Sequence, residues 1–467
     1  MICLKWVYIT LSAIMLNGAL IYPQVFYPFV FLFLIPIFYG ILQVTYIYSF
    51  KEGFFWGVLF FVIHFFGYIF LFNNNAHGLL CASIPIVLAL YCALYSGLWF
   101  FFASYAVCLL SKKNILITCI SWVIWTYLYF AWVRYGIFWI FGDFIGYPFC
   151  FPVLPLVSNN ILIYFIGVFG KSITLLLIII FSFFCAFLLY KKKYSIYSIY
   201  SIYSILCSLV FFFLLYMVYL DMKTSKNIEK YTQKSNYIGY ISPLVSQACD
   251  TPLEAAQEIY YSMINLLNKN PDIKIIVMPE SSYLFPLNTH KDMIKLWYKN
   301  ILDYDVSLCI GAPYKEGNDL YNALYWIQNG YIQQIYKKTK LMAFAEYVPR
   351  FWEKFAYFKK LFLCEPFFTH GQKGRIIFNL CQNMRLKPLI CSDFFLGKRR
   401  EAKQISDKSF SAVIIPVNDH IFPMEYLRNL MFLYAKLESV SRKKDILYVG
   451  YYFATWIHKN GFVVKIT

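Results

Sequence analysis

The segment IKIIVMPES, which spans Ile273–Ser281, lies just past the middle of the chain. Its run Ile273–Met278 is apolar on both faces, and this pattern predicts a strand that is covered on both sides. Ahead of it, the segment Thr251–Glu254 combines an N-cap, a proline at the first helical position and a capping-box glutamate. A helix is therefore predicted from there to about Asn268, followed by the strand.

Further apolar runs of strand length surround this segment. The predicted strands are Tyr237–Ile241, Ile273–Met278, Val306–Ile310, Leu386–Ile390, Ala412–Val417, Ile446–Phe453 and Gly461–Ile466. A second helix is predicted at Glu425–Ser441. Strands that alternate with helices predict an α/β domain, and in such domains the chemistry collects at the carboxyl ends of the strands.

Three reactive side chains, Glu280, Lys338 and Cys391, follow predicted strands or lie in loops between them. A thiol with an ordinary pKa of ~8.5 is mostly protonated at neutral pH, so a nearby carboxylate and a positive charge are needed to activate it. An ammonium at the attacked carbonyl then stabilises the oxyanion. The set suits covalent acyl transfer. Taken one at a time, these residues could have purely structural roles instead of catalytic ones. A cysteine after a strand commonly belongs to the core, and a Pro-Glu turn is commonly part of a solvated loop.

The composition points to a membrane. Of the 467 residues, 60% are hydrophobic and 14% are charged, and the mean hydropathy is +0.56. Such a chain is too apolar for a water-soluble protein of this length. The net charge is +18, but the basic residues form no stripe with the spacing of a DNA-recognition helix or an RNA-binding motif. We therefore expect no nucleic-acid partner. Membrane topology and acidic headgroups explain the lysines better.

Apolar segments near the ~20 residues that a bilayer crossing needs fill the first part of the chain. The predicted spans are Trp6–Tyr22, Val25–Phe50, Phe54–Phe72, Leu79–Leu110, Ile115–Phe141, Ile161–Leu189 and Ile202–Tyr219. Lysines fall on every second connection, which marks those connections as cytoplasmic. We therefore expect a membrane domain of about seven helices at 1–220, with its N-terminus in the cytoplasm. The catalytic domain, at 221–467, is expected on the extracytoplasmic side.

The cysteines and histidines give no sign of a metal site. The 13 cysteines and 6 histidines include no CxxC pair and no histidine-rich cluster, so we expect no metal and no cofactor. Five of the cysteines lie in the predicted outer domain. Because five is odd, at least one thiol there should be free.

Four motifs resemble those of known families. VMPES, at Val277–Ser281, resembles the Trp-Pro-Glu-Ser segment of the carbon–nitrogen hydrolases of the nitrilase superfamily. KTKLMAFAEYVP, at Lys338–Pro349, resembles the Lys-x-x-Leu-Val-Pro-Phe-Gly-Glu-Tyr-Val-Pro signature of apolipoprotein N-acyltransferases. LICSD, at Leu389–Asp393, and VND, at Val417–Asp419, resemble their Ile-Cys-Tyr-Glu and Ser-Asn-Asp motifs. The resemblance covers nearly the whole chain and is strongest from Glu280 to Asp419.

This resemblance implies a multi-span α-helical membrane domain followed by an α/β nitrilase-like domain, an αββα sandwich, outside the bacterial cytoplasmic (inner) membrane. It implies that Cys391 takes an acyl chain from a membrane phospholipid as a thioester. The chain would then pass to the α-amine of the N-terminal diacylglyceryl-cysteine of an apolipoprotein. Glu280 would be the general base, Lys338 would hold the oxyanion, and Glu346 would orient Lys338 or assist as a second carboxylate.

The chain departs from the family pattern at four positions. Ser392 replaces a tyrosine, Asp393 is one methylene shorter than a glutamate, and Ala343 and Ala345 stand where proline and glycine are usual. We count Ser392 and Asp393 as accessory residues of the site. Two alternatives stay open: a membrane-tethered amidase or nitrilase-type hydrolase, and a non-catalytic membrane protein that binds a lipid or a lipoprotein.

Overall fold

The computed structural model describes residues 2–43, 48–67, 78–110, 115–137, 147–191, 237–243, 249–299, 301, 304–342, 346–347, 368–372, 376–379, 384–395, 409–422 and 424–466. Within them, the helices are α1 (Ile2–Ile21), α2 (Pro23–Phe26), α3 (Phe29–Leu32), α4 (Ile35–Leu42), α5 (Phe50–Phe65), α6 (Gly78–Leu110), α7 (Ile115–Tyr135), α8 (Asn160–Lys191), α9 (Pro252–Lys269), α10 (Lys291–Tyr298), α11 (Ser392–Phe395) and α12 (Glu425–Arg442).

The strands described are β1 (Ile238–Tyr240), β2 (Ile275–Val277), β3 (Ser307–Glu316), β4 (Asp319–Gln328), β5 (Tyr331–Lys337), β6 (Phe378–Asn379), β7 (Arg385–Pro388), β8 (Ala412–Pro416), β9 (Asp445–Val449), β10 (Ala454–Ile457) and β11 (Val463–Ile466). The chain divides into two compact units. The first unit comprises Met1–Ile137, Gly146–Ser225 and Phe422–Leu437, and the second comprises Phe138–Ile145, Lys226–Ile421 and Glu438–Thr467.

Among the described residues of the first unit, three helices are long and apolar enough to cross a membrane: Leu4–Ile21, Pro85–Leu109 and Asn160–Tyr190. The long predicted span Leu79–Leu110 is a single helix, α6, although Pro85 lies within it. Apolar helices therefore precede an α/β domain, and the expected fold class is confirmed.

The second predicted span, Val25–Phe50, is wrong as one continuous helix. The short helices α2, α3 and α4 occupy the described part of this segment, because Pro28 and Pro36 each stand at the start of a new helix. The seventh predicted span, Ile202–Tyr219, lies outside the described residues. The total of seven spans and their orientation stay predictions.

Hydrogen bonds explain why Phe422–Leu437 groups with the first unit. The Tyr426 hydroxyl donates to the backbone oxygen of His64 at 2.8 Å, and the Lys436 ammonium donates to the backbone oxygen of Val157 at 3.1 Å. Both acceptors belong to the first unit, so this part of α12 packs there.

The second unit is built on two sheets. The first has the order β1-β2-β3-β4-β5, with β1, β2 and β3 parallel and the remaining pairs antiparallel. The second has the order β11-β10-β9-β8-β7-β6, with β7, β8 and β9 parallel. In each sheet the parallel strands end at one edge, where their connecting loops can share a site.

Two apolar clusters hold these layers together. One joins α9 and α10 to the first sheet, through residues such as Ile259, Trp297 and Tyr325. The other contains residues of both sheets, among them Trp326 and Trp456, so the sheets pack face to face. The layers are therefore helix, sheet and sheet. On the second sheet, the end of α12 is joined to the segment after β10, because the Ser439 hydroxyl donates to the backbone oxygen of His458 at 3.0 Å.

Most predicted elements of this unit are present within a few residues of their expected bounds. Helix α9 begins as expected, with the Thr251 hydroxyl accepting a bond from the backbone N–H of Glu254 at 3.2 Å. The predicted strand Ile446–Phe453 is too long, since β9 ends at Val449 and a tight connection leads to β10. Strands β4, β5, β6 and β10 were not predicted.

Candidate active site

Glu280 stands in the turn that follows β2. The turn is tight: Ser281 has a φ of +57°, in the left-handed region. Gly311 of β3 lies directly against it, and a Cβ at position 311 would come within 2.5 Å of the Pro279 backbone oxygen. The glycine therefore permits the close approach of backbone that sets the position of Glu280.

Lys338 comes directly after β5 and is buried. Its backbone N–H donates to the backbone oxygen of Asn322 on β4 at 2.7 Å. Its ammonium lies 2.7 Å from Glu280 Oε1 and 2.8 Å from Glu346 Oε2. It also lies 3.0 Å from Glu346 Oε1, so a carboxylate oxygen is within hydrogen-bond distance for each of its three hydrogens.

The two carboxylates keep Lys338 charged. Burial by itself would lower the pKa of Lys338, but the negative charges of Glu280 and Glu346 outweigh it and raise the pKa above its ordinary value. Lys338 is thus a permanent cation at the site and cannot serve as a base. This is the state that oxyanion stabilisation requires.

Cys391 lies between β7 and α11, in a strained turn. Its φ is +38°, and its backbone N–H donates to the backbone oxygen of Pro416, at the end of β8, at 3.0 Å. A residue other than glycine in this region carries strain, and strain of this kind concentrates at functional sites. The turn places the partly buried thiol beside Glu280.

The charges around Cys391 keep its thiol protonated at rest. Burial and the negative charge of Glu280 raise the pKa of the thiol well above its ordinary value, and Lys338 opposes this shift. The resting thiol therefore needs a base when it attacks. Glu280 is in place to accept the proton, so the pair can generate a nucleophile on demand.

Asp393 ties the loop of Lys338 to the turn of Cys391. Its Oδ1 accepts from the backbone N–H groups of Thr339 and Lys340, at 3.1 and 2.6 Å, and its Oδ2 accepts from the Tyr336 hydroxyl at 3.0 Å. Ser392 adds a second tie, because its hydroxyl donates to the backbone oxygen of Lys340. Burial raises the pKa of Asp393 to about 6. Both accessory residues are thus structural neighbours of the trio.

Two asparagines at the site were not among the predicted site residues. The Asn322 amide donates to Glu280 Oε1 at 2.8 Å and to Glu346 Oε1 at 2.7 Å. The Asn418 backbone N–H, just after β8, donates to Glu280 Oε2 at 3.0 Å. Asn418 lies in the VND motif. Asn322 lies in β4, which ends at the hairpin dipeptide Asn329-Gly330, a signal in the sequence that would have located it.

The structure thus brings together Glu280, Lys338, Cys391 and Glu346, with Ser392 and Asp393 as supports. Ala343 and Ala345 lie outside the described residues. Within the described part of the chain, no group of three His, Cys, Asp or Glu residues is arranged to hold a metal ion. A thiol, its base and a fixed cation can together form and resolve an acyl-enzyme.

A known protein matches part of this chain. A stretch of 104 residues, 21% of the chain, is 33% identical to apolipoprotein N-acyltransferase 2 of Treponema denticola. The match spans 19% of that protein, so the chain covers about a fifth of the length of this curated relative. No family model matches the chain. The resemblance to apolipoprotein N-acyltransferases that the motifs predicted is confirmed.

Solved structures of the nitrilase superfamily are also similar. Nit3 of Saccharomyces cerevisiae, a member of branch 10, is 13% identical with a TM-score of 0.34, over 46% of this chain and 79% of that one. A carbon–nitrogen hydrolase of Helicobacter pylori is 12% identical with a TM-score of 0.35, over 46% of this chain and 81% of that one. These values do not bear on the chemistry of the chain.

Proposed function

We propose that this chain is an N-acyltransferase that resembles apolipoprotein N-acyltransferases in reaction as well as in sequence. The donor is a membrane phospholipid, and the acceptor is the α-amine of a diacylglyceryl-modified cysteine at the N-terminus of an apolipoprotein. Cys391 carries the acyl chain between them. We place the enzyme in the bacterial cytoplasmic (inner) membrane, with its catalytic domain on the extracytoplasmic side.

In the first half-reaction, Glu280 takes the proton of the Cys391 thiol and the sulfur attacks the ester carbonyl of the phospholipid. The negative charge that develops on the carbonyl oxygen is stabilised by the positive charge of the Lys338 ammonium. The ester C–O bond then breaks, and Glu280 returns its proton to the leaving oxygen. The products are a lysophospholipid and a thioester on Cys391.

In the second half-reaction, the acceptor amine attacks the thioester. An α-amino group with an ordinary pKa of ~7.7–8 is appreciably neutral at physiological pH, so it needs only modest help from a base. Glu280 accepts the proton that the nitrogen loses, and Lys338 again holds the oxyanion. The C–S bond breaks, the Cys391 sulfur regains the proton, and an amide is released.

The observation that carries the proposal is the bridge from Lys338 to Glu280 and Glu346, at 2.7 and 2.8 Å, with the Cys391 thiol close enough for these charges to act on its pKa. The three apolar helices that are long enough to cross a membrane support a lipid donor. The similarity to apolipoprotein N-acyltransferase 2 of Treponema denticola supports the acceptor.

A two-substrate assay tests the proposal. The full chain in detergent is incubated with a phospholipid and a synthetic diacylglyceryl-cysteine peptide, and the products are identified by mass. We expect an N-acylated peptide and an equal amount of lysophospholipid, with Cys391→Ala inactive. Free fatty acid without acylated peptide would favour the amidase or hydrolase instead. Lipid or peptide binding that Cys391→Ala retains, without any product, would favour a binding protein.

A further inference from the structure

We propose that Asn322 is a positioning residue that directs the proton of the Cys391 thiol to one oxygen of Glu280, namely Oε2. It does so by occupying the other oxygen and by holding Glu280 and Glu346 ionised side by side. This inference rests on the proposed nucleophile and base, but not on the identity of the acyl donor or of the acceptor.

The hydrogen bonds of Glu280 distinguish its two oxygens. Oε1 accepts from the Asn322 amide at 2.8 Å and from the Lys338 ammonium at 2.7 Å. Oε2 accepts from the backbone N–H of Asn418 at 3.0 Å. A carboxylate oxygen with two strong donors, one of them charged, is a weaker base than its neighbour with one. The thiol proton therefore goes to Oε2.

The Asn322 amide also contacts the second carboxylate. Its two hydrogens go to Glu280 Oε1, at 2.8 Å, and to Glu346 Oε1, at 2.7 Å. Two buried carboxylates that share a single cation repel one another, and a pair of this kind tends to hold a proton. A neutral amide that donates to both favours their charged forms without adding charge, so Glu280 stays free to act as a base.

The strand holds Asn322 in this position without help from its side chain. The backbone oxygen of Asn322 accepts from the backbone N–H of Lys338 at 2.7 Å, and β4 is paired with β3 and β5. A substitution of the side chain leaves these bonds in place. Its effect on the charges of the site can therefore be separated from an effect on the fold.

The test is the pH dependence of Cys391 alkylation by iodoacetamide, with the full chain in detergent and the modified peptide identified by mass. It needs no lipid substrate. Among the described residues, the charged or titratable groups that face Glu280 are Lys338, Glu346, Cys391 and Tyr451, whose hydroxyl donates to the Glu280 backbone oxygen at 2.9 Å. In the wild-type protein we expect an acid limb, below which the site no longer takes up the thiol proton.

Removal of the amide should move this limb. A hydrogen bond to a charged group favours ionisation by an amount equivalent to roughly one to two pH units, so Asn322→Ala should shift the acid limb upward by about that much. Asn322→Asp, which has the same shape, should shift it at least as far, because it adds a negative charge. Asn322→Ser keeps one donor of shorter reach, should shift it less, and carries the test if the other variants do not fold.

The matched control is Asn288→Ala. Asn288 also makes two hydrogen bonds, to the backbone of Lys315, and it contacts none of the site residues. We expect its acid limb to coincide with that of the wild type. An unmoved limb in a folded Asn322 variant, or a rate that falls equally at every pH, would overturn the inference. If the acid limb shifts but the protein shows no product in the two-substrate assay, the inference about Asn322 is supported and only the proposed substrates are contradicted.

Discussion

At the scale of single residues, the Cys391 thiol holds its proton at rest, and the adjacent Glu280 is placed to accept that proton. The resting thiol of Cys391 is protonated, because burial and Glu280 raise its pKa well above the ordinary value. Lys338 is held as a cation by Glu280 and Glu346. In the proposed mechanism, the reaction therefore proceeds through a thiol and an adjacent base, and not through a thiolate that is present beforehand.

This arrangement predicts that Glu280→Gln impairs acyl transfer but makes the Cys391 thiol easier to ionise. Acyl transfer should fall by roughly 10²-fold or more, because the base is lost. The pKa of the Cys391 thiol should decrease, because a negative charge that disfavours the thiolate has been removed while Lys338 remains. The alkaline rise in iodoacetamide alkylation should then begin at a lower pH than in the wild type. A rise that begins at a higher pH would contradict these charges.

Asp393 gives a second prediction, on stability. Its pKa is raised to about 6 in the folded protein, from an ordinary value of 3.8. Between these two pH values the folded chain holds a proton that the unfolded chain has released, so stability falls as the pH rises from about 4 to about 6. Relative to Asp393→Asn, the wild type should lose up to about 3 kcal/mol over this window.

The measurement compares the apparent melting temperatures of the two detergent-purified proteins across that pH range. The wild-type value should fall relative to that of Asp393→Asn as the pH rises. Curves that stay parallel would show that the buried carboxyl keeps its ordinary pKa.

At the scale of elements, the site depends on turns that follow strands. Glu280 follows β2, Cys391 follows β7, and Asn418 follows β8. β2 and β8 are apolar runs, and β7 overlaps the predicted strand Leu386–Ile390, so the positions of these strands could be predicted. The strand β4 was missed, and with it Asn322. Its run DLYNALYWIQ includes residues that suit a helix as well as a strand, so the Asn329-Gly330 turn and the pairing with β3 and β5 are needed to decide between them.

The membrane half shows the same limit of local patterns. Hydrophobicity located α1, α6 and α8 well, but it merged α2, α3 and α4 into one predicted span. A hydropathy average does not register where Pro28 and Pro36 begin new helices. Composition therefore predicts where apolar helices occur better than it predicts where each one ends.

Gly311 provides a prediction at this scale. In Gly311→Ala, the new methyl group would lie 2.5 Å from the Pro279 backbone oxygen and 2.8 Å from the Glu280 Cα, so the turn after β2 must move. Because a displacement of 1 Å can reduce catalysis by roughly 10²-fold, we expect acyl transfer to fall by about 10- to 10²-fold. The measurement is the two-substrate assay.

The control for this variant is Gly317→Ala. Gly317 has a φ of +59°, and no atom lies near the position its Cβ would take. This substitution strains a turn between β3 and β4 without pressing on Glu280, so it should lower stability by about 1 kcal/mol and leave acyl transfer nearly unchanged. Equal losses of activity in both variants would indicate general destabilisation.

At the scale of the whole molecule, the chain combines apolar helices of membrane length with an α/β unit that carries a partly buried thiol, a buried carboxylate and a buried cation. The sequence predicted this combination from two independent signals, hydropathy and the motifs. Orientation in the membrane rests on the lysine pattern alone. We predict that a reporter fused after Thr467 is active outside the cytoplasm, and a fusion that is active only in the cytoplasm would contradict that orientation.

The most direct test of the central proposal is the intact mass of the purified protein after incubation with phospholipid alone. We predict an added acyl mass that hydroxylamine removes, as it removes thioesters, and that is absent in Cys391→Ala. Folded wild-type protein that gains no such mass, or an adduct that persists in Cys391→Ala, would contradict a lipid thioester on Cys391.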